Sequence, residues 1–227
     1  LAELDEPILE HYRERQRREQ RSRRELAKLR RLPAITKDQV AIALHANIEL
    51  PEDTAAALEA GAEGVGLFRS EFLFMNRDGA LPDEDEQFEA YREAVIAMQG
   101  LPVTIRLLDP PLHEFLPHTD AEMQEVADAS QLTLEAVKYR ASQLHESNPM
   151  LGHRGCRLGV TYPEIYAMQS CALFEAAAEV QREGKTVLPE IMIPLIMTKK
   201  ELQLMKALVD QAASEVEAAT GITITYQ

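Results

Sequence analysis

Between Val40 and Leu108 short apolar runs alternate with amphipathic segments, and the connections between them are brief. Val40–Ile48 predicts a strand, and Pro51-Glu52-Asp53 opens a helix that runs to Ala60 and stops at Gly61. Proline in a first turn and acids near the positive helix end favour that start. Gly64–Phe68 predicts the second strand, Asp83–Met98 the second helix, with Phe88, Tyr91, Val95 and Met98 as its apolar stripe, and Pro102–Leu108 the third strand. Strand, helix, strand, helix, strand with short links predicts a parallel sheet built by right-handed crossovers. The strands are apolar almost throughout, which predicts a sheet covered on both faces.

After Leu108 comes a proline-stiffened loop, 109–118, and then two helices, one capped by Thr119/Asp120 and one over Thr133–Leu144 with Glu135 expected to close a capping box. A glycine-rich stretch, Gly152-His153-Arg154-Gly155, precedes a long helix from Pro163 to Glu183. Val187–Ile193 predicts a fourth strand, Lys199–Ala219 a helix, and Ile222–Tyr226 a fifth strand. Five strands over residues 39–227 fall short of the ~250 residues of a complete (β/α)8 barrel. The expected fold class is therefore α/β, of TIM-barrel type and truncated at its C-terminal side.

Residues 5–31 predict a charge-dense, exposed helix, so 1–38 is taken as a linker and Pro33 as its boundary. Residues 1–38 hold 11 Lys/Arg against 8 Asp/Glu, which leaves −17 of the chain's −14 balance on 39–227. A part this acidic is a poor partner for nucleic acid, and Arg21-Ser22-Arg23-Arg24, interleaved with glutamates, reads as a solvated helix face. No apolar run approaches the ~18–20 residues of a membrane span. Cys156 and Cys171 match no metal spacing and suit a reducing, cytoplasmic setting as buried thiols. Leu1-Ala2-Glu3 has the look of a piece cut from a longer chain.

Scarce arginines matter more in such a chain. Arg69 ends the second strand and Arg106 the third, and C-terminal strand ends are where α/β proteins bind ligands. Two guanidiniums there predict a doubly charged, phosphate-like ligand. The competing expectation is a salt bridge to a local acid, Glu71 or Asp109. Arg154 and Arg157 face the same choice. His113, His118 and His153 lack a carboxylate or cysteine at fixed spacing and are expected to serve as loop hydrogen-bonding groups rather than metal ligands.

Several strings resemble the phosphoenolpyruvate-utilising enzymes. Leu32-Pro33-Ala34-Ile35-Thr36, Ala46-Asn47-Ile48, Gly61–Met75 and Glu86–Tyr91 make residues 1–100 similar to enzyme I of the bacterial sugar phosphotransferase system. Arg106–Pro117, Asn148–Leu158, Thr161–Ile165 and Pro189–Leu195 make residues 104–227 similar to pyruvate, phosphate dikinase. The two likenesses meet inside the third strand, as they would in a hybrid. The resemblance implies a barrel that binds phosphoenolpyruvate or pyruvate, with Arg69 and Arg106 on the phosphoryl group and Arg154 beside them. It implies exchange of that group with a histidine on a separate domain, and association as a homodimer. It also implies Mg2+, a catalytic cysteine and a Glu/Asp metal pair on later strands, so no catalytic or metal-ligating residue is expected within this chain. A non-catalytic dimerisation or scaffold piece, or an artificial hybrid without turnover, is the other expectation. The acceptor, a sugar-uptake carrier or ATP and phosphate, stays open.

Overall fold

The computed structural model describes residues 5–75, 81–110, 116–145 and 148–227. His113 and the Asn76–Gly79 stretch lie outside them. The chain begins with helix α1 (Glu6–Ala27), which has no buried residue. Strand β1 (Ala46–Ile48) and helix α2 (Asp53–Ala60) follow, then β2 (Val65–Arg69), α3 (Glu84–Ala97) and β3 (Val103–Arg106). A helical hairpin, α4 (Asp120–Ser130) and α5 (Leu134–Leu144), precedes a short α6 (Cys156–Thr161) and a long α7 (Pro163–Arg182). Strand β4 (Pro189–Met192) and α8 (Lys199–Thr220) complete the order.

Local chemistry accounts for the helix ends. Gly61 closes α2 at φ 91°, a left-handed conformation that glycine adopts without a Cβ penalty. The site is crowded as well as strained: an added Cβ would lie 2.4 Å from the Arg30 carbonyl oxygen. This is where the end of the linker segment meets α2, and Arg30 also pairs with Glu59 at 3.6 Å. Capping boxes start α3 (Asp83 with Glu86), α4 (Thr119 with Glu122) and α8 (Thr198 with Glu201). Thr133 does cap α5, but its hydroxyl accepts from Ala136 N, so Glu135 closes no box.

All four strands are parallel, and their order in the sheet is their order in the chain. Crossovers of one hand with no reversal of strand order place connecting helices on one face of a sheet. Accordingly Phe68, Val103 and Ile105 form one core with Tyr91, Ala94 and Met98 of α3, with α7 and with α8. Small side chains on α7, Ala172, Ala176 and Ala177, let its two helical neighbours approach closely. The opposite face carries Thr104 and Arg106 by the two-residue period of a strand, with Glu190 and Met192 paired beside them. The expectation of two covered faces holds only in part: one is packed under helices, and the other is buried at Thr104 but open at Met192.

Two strands are also shorter than the apolar runs suggested. Val40, Ile42 and Leu44 are exposed, and Ile35 bridges antiparallel to Ala41 in a small turn, so β1 begins only at Ala46. Ile222–Tyr226 does not form a fifth strand. Only Gln227 joins the sheet: its N–H donates to the Pro189 carbonyl at 3.2 Å and its carbonyl accepts from Ile191 at 2.8 Å. Tyr226 is docked by its ring edge on Phe174, at 4.8 Å, and by its hydroxyl on Asp210.

Candidate functional site

Parallel register brings the strand-end arginines together. Arg69 and Arg106 are direct partners across β2 and β3, and Arg106 is opposite Met192 of β4. Arg154 reaches the same edge from the loop before α6: its Nη2 lies 2.9 Å from Asp109 Oδ2, and its Nε donates to Asp109 Oδ1 and to the Asp109 carbonyl. The three candidate arginines thus share one end of the sheet.

Each guanidinium meets an acid: Arg106 meets the two acids expected of it, Glu71 and Asp109, while Arg69 and Arg154 meet acids distant in sequence. Arg106 is gripped by both Glu71 and Asp109, the latter at 3.0 Å. Arg69 pairs instead with Glu49, at 3.3 Å, just beyond β1. Asp109 bridges Arg106 and Arg154 with a side chain only 4% exposed. These pairings fix the guanidiniums rather than consuming them, because arginine has five N–H donors. Arg69 donates from Nη1 to Glu49, and its side chain is 39% exposed. The Arg106 Nε and the Glu71 Oε2 are buried with no hydrogen-bond partner.

Beneath this edge lies a network of neutral polar groups that sequence reasoning missed. Gln169, fully buried on α7, accepts from the Leu108 N–H at 2.9 Å and donates to Ser70 Oγ and the Tyr91 hydroxyl, each at 3.2 Å. Ser70 Oγ donates to the Arg106 carbonyl at 2.7 Å, and the Tyr166 hydroxyl to the Leu108 carbonyl at 3.0 Å. Burial pushes both tyrosine pKa values well above their ordinary range. They therefore remain protonated donors. No local signal marks Gln169, which lies 99 residues from Ser70.

The other candidates have structural partners. Arg157 donates to the carbonyls of Gly152 and Met150, holding the glycine-rich loop. His153 lies 3.0 Å from the Thr161 hydroxyl and stacks on Tyr162. The His118 backbone N–H donates to Glu122. Both thiols are free. Burial raises Cys171 to about 11 and also raises Cys156, whose Sγ faces the Leu195 carbonyl.

Among the described residues no three His, Cys, Asp or Glu side chains converge as metal ligands do. Glu71 gives one carboxylate oxygen to Arg106, and Asp109 gives its carboxylate to Arg106 and Arg154. No helix among the described residues is long and apolar enough to cross a membrane.

Comparison with known proteins identifies the family. The family model for the PEP-binding domain of PEP-utilising enzymes matches residues 23–227. Pyruvate, phosphate dikinase from Clostridium symbiosum is 45% identical, over 79% of this chain and 23% of its own length. The Rhizobium meliloti dikinase is 43% identical, covering 79% of this chain and 22% of that protein. The chloroplastic dikinase 1 of Arabidopsis thaliana is 43% identical, covering 80% and 21%. The chain therefore spans less than a quarter of these relatives. Their likeness covers more of it than residues 104–227 alone, and so extends back into the first half.

Proposed function

We propose, for a chain that belongs to the PEP-utilising enzymes, that it supplies the phosphoenolpyruvate/pyruvate site of a phosphotransferase. That enzyme exchanges a phosphoryl group between phosphoenolpyruvate and a histidine on a separate domain. In this reading residues 1–38 are the linker helix and 39–227 part of a (β/α)8 barrel. Support for the barrel comes from the unreversed strand order and the one-sided core, with Gln227 bonding to the free edge of β4. A doubly wound sheet would need a reversal of order.

The observation that carries the proposal is the cross-strand pairing of Arg69 with Arg106 at the C-terminal edge of the sheet. Arg69, with donors to spare, takes phosphate oxygens in its planar fork. Arg106, held by Glu71 and Asp109, is a pre-oriented cation for charge that develops on the transferring group. Arg154 shares Asp109 with it and keeps that carboxylate turned toward the edge. Magnesium, the family's proposed cofactor, would act as a Lewis acid toward the enolate oxygen.

The name of the relatives, pyruvate, phosphate dikinase, favours pyruvate and phosphate as exchange partners over a sugar-uptake carrier. Homodimer formation and a cytoplasmic setting complete the proposal. Titration calorimetry with phosphoenolpyruvate and Mg2+ tests it. Saturable binding that weakens in both Arg69→Ala and Arg106→Ala supports the site, and binding indifferent to both removes it. A chain that scatters light as an oligomer yet binds no phosphoenolpyruvate supports the scaffold reading instead.

A further inference from the structure

The two arginines leave the sheet on different strands, and one buried amide ties those exits together. The proton directions around it follow from counting donors. Gln87 Nε2 donates to the carbonyls of Pro82 and Asp83, so its oxygen is the atom that faces Tyr91. Tyr91 spends its only proton on that oxygen, and Ser70 spends its own on the Arg106 carbonyl. Both hydroxyls must then accept from Gln169, which uses the two protons of its Nε2. Its Oε1 is left for the Leu108 N–H.

The amide thus fastens the residue after Arg69 and the residue two beyond Arg106, and Ser70 closes the circuit at Arg106's own carbonyl. Ser70 and Gln169 are both 0% exposed. Burying such groups costs free energy that an apolar side chain of the same volume would avoid. A fully satisfied polar network gives in return a single geometry for the backbone it holds.

We propose that Gln169, acting through Ser70, is a positioning residue that sets the spacing between Arg69 and Arg106 for phosphate binding without touching the ligand. The inference rests on the clamp reading of those two arginines.

Its test measures phosphoenolpyruvate affinity in the presence of Mg2+ for the 227-residue chain, for Ser70→Ala and Gln169→Met, and for each of these in an Arg106→Lys background. Arginine 15Nε signals of the single variants are recorded without ligand. Each single variant is expected to weaken binding by about tenfold while still melting cooperatively, and to cost clearly less when Arg106 is already lysine. Full additivity overturns the proposal, as does unchanged affinity in both singles. Ser70→Ala carries the test where Gln169→Met does not fold. The 15Nε signals of Arg69 and Arg106 are expected to move in both variants relative to wild type, and signals that stay in place overturn the proposal. A wild-type chain that binds no phosphoenolpyruvate sinks the clamp reading, and the ligand-free signals then decide the positioning claim by themselves.

Discussion

Replacing Asp109 by asparagine removes a negative charge that two guanidiniums share. The Asp109 side chain is 4% exposed, against 19% for Arg106 and 16% for Arg154, so all three groups are largely withdrawn from water. Removing one partner of a buried ion pair costs about 3–5 kcal/mol, because the opposite charge is left uncompensated. Two features pull toward the lower end. Asparagine keeps one acceptor oxygen, and the guanidiniums retain some solvent and, for Arg106, the Glu71 carboxylate. We therefore expect a loss of about 3 kcal/mol. At about 2–4 °C per kcal/mol for a chain of this size, the melting temperature falls by roughly 6–12 °C. Urea unfolding should show a lower midpoint with an unchanged m value, since the same surface is exposed. A loss below about 1 kcal/mol, the range of a solvated surface pair, would refute the view that Asp109 is the electrostatic anchor of the strand edge.

Other sites give independent checks. Gly159→Ala sets a Cβ 2.6 Å from Tyr166 Cδ2 and 2.8 Å from Met205 Sδ. The ring cannot swing aside while its hydroxyl holds Leu108, so calorimetry should register an overpacking loss of about 1–3 kcal/mol, and a neutral substitution would show the contact to be soft. The Asp53 carboxylate accepts from the backbone N–H groups of Glu49 and Leu50, and these bonds hold its pKa below the ordinary value. A depressed folded-state pKa means stability that is present above the unfolded value near 4 and lost as pH falls through the folded one. The stability gap between wild type and Asp53→Asn should accordingly be clear at pH 7 and shrink at about pH 3. A gap that grows on acidification would reverse the sign of the argument.

Helices and their ends were the most legible part of the sequence, because their signals are local. Gly61, Asp83 and Thr119 act where their chemistry suggested. Strand limits were less legible, since an apolar run does not say where pairing stops. Val40–Leu44 is as apolar as β1 yet lies outside it, and Ile222–Tyr226 reaches the sheet only at Gln227. The polar pair on the second sheet face was missed for a related reason: Thr104 and Glu190 look like interruptions until register sets them side by side, 86 residues apart in sequence. At the site, the arginines stood out by position and scarcity, while their counter-ions did not. Glu71 and Asp109 were visible as neighbours of Arg106, but Glu49 for Arg69 and Asp109 for Arg154 are long-range choices made by the fold. Gln169 lies further still from any sequence cue.

The central claim is that the guanidinium of Arg69, in register with Arg106, meets the phosphoryl group of phosphoenolpyruvate. The 31P resonance of phosphoenolpyruvate, followed as the chain is added in the presence of Mg2+, tests it most directly. A saturable shift with wild type, reduced with Arg69→Lys and lost with Arg69→Ala, is the predicted result, since lysine keeps the charge but not the planar fork. An equal shift with all three chains, or none with wild type, would contradict it.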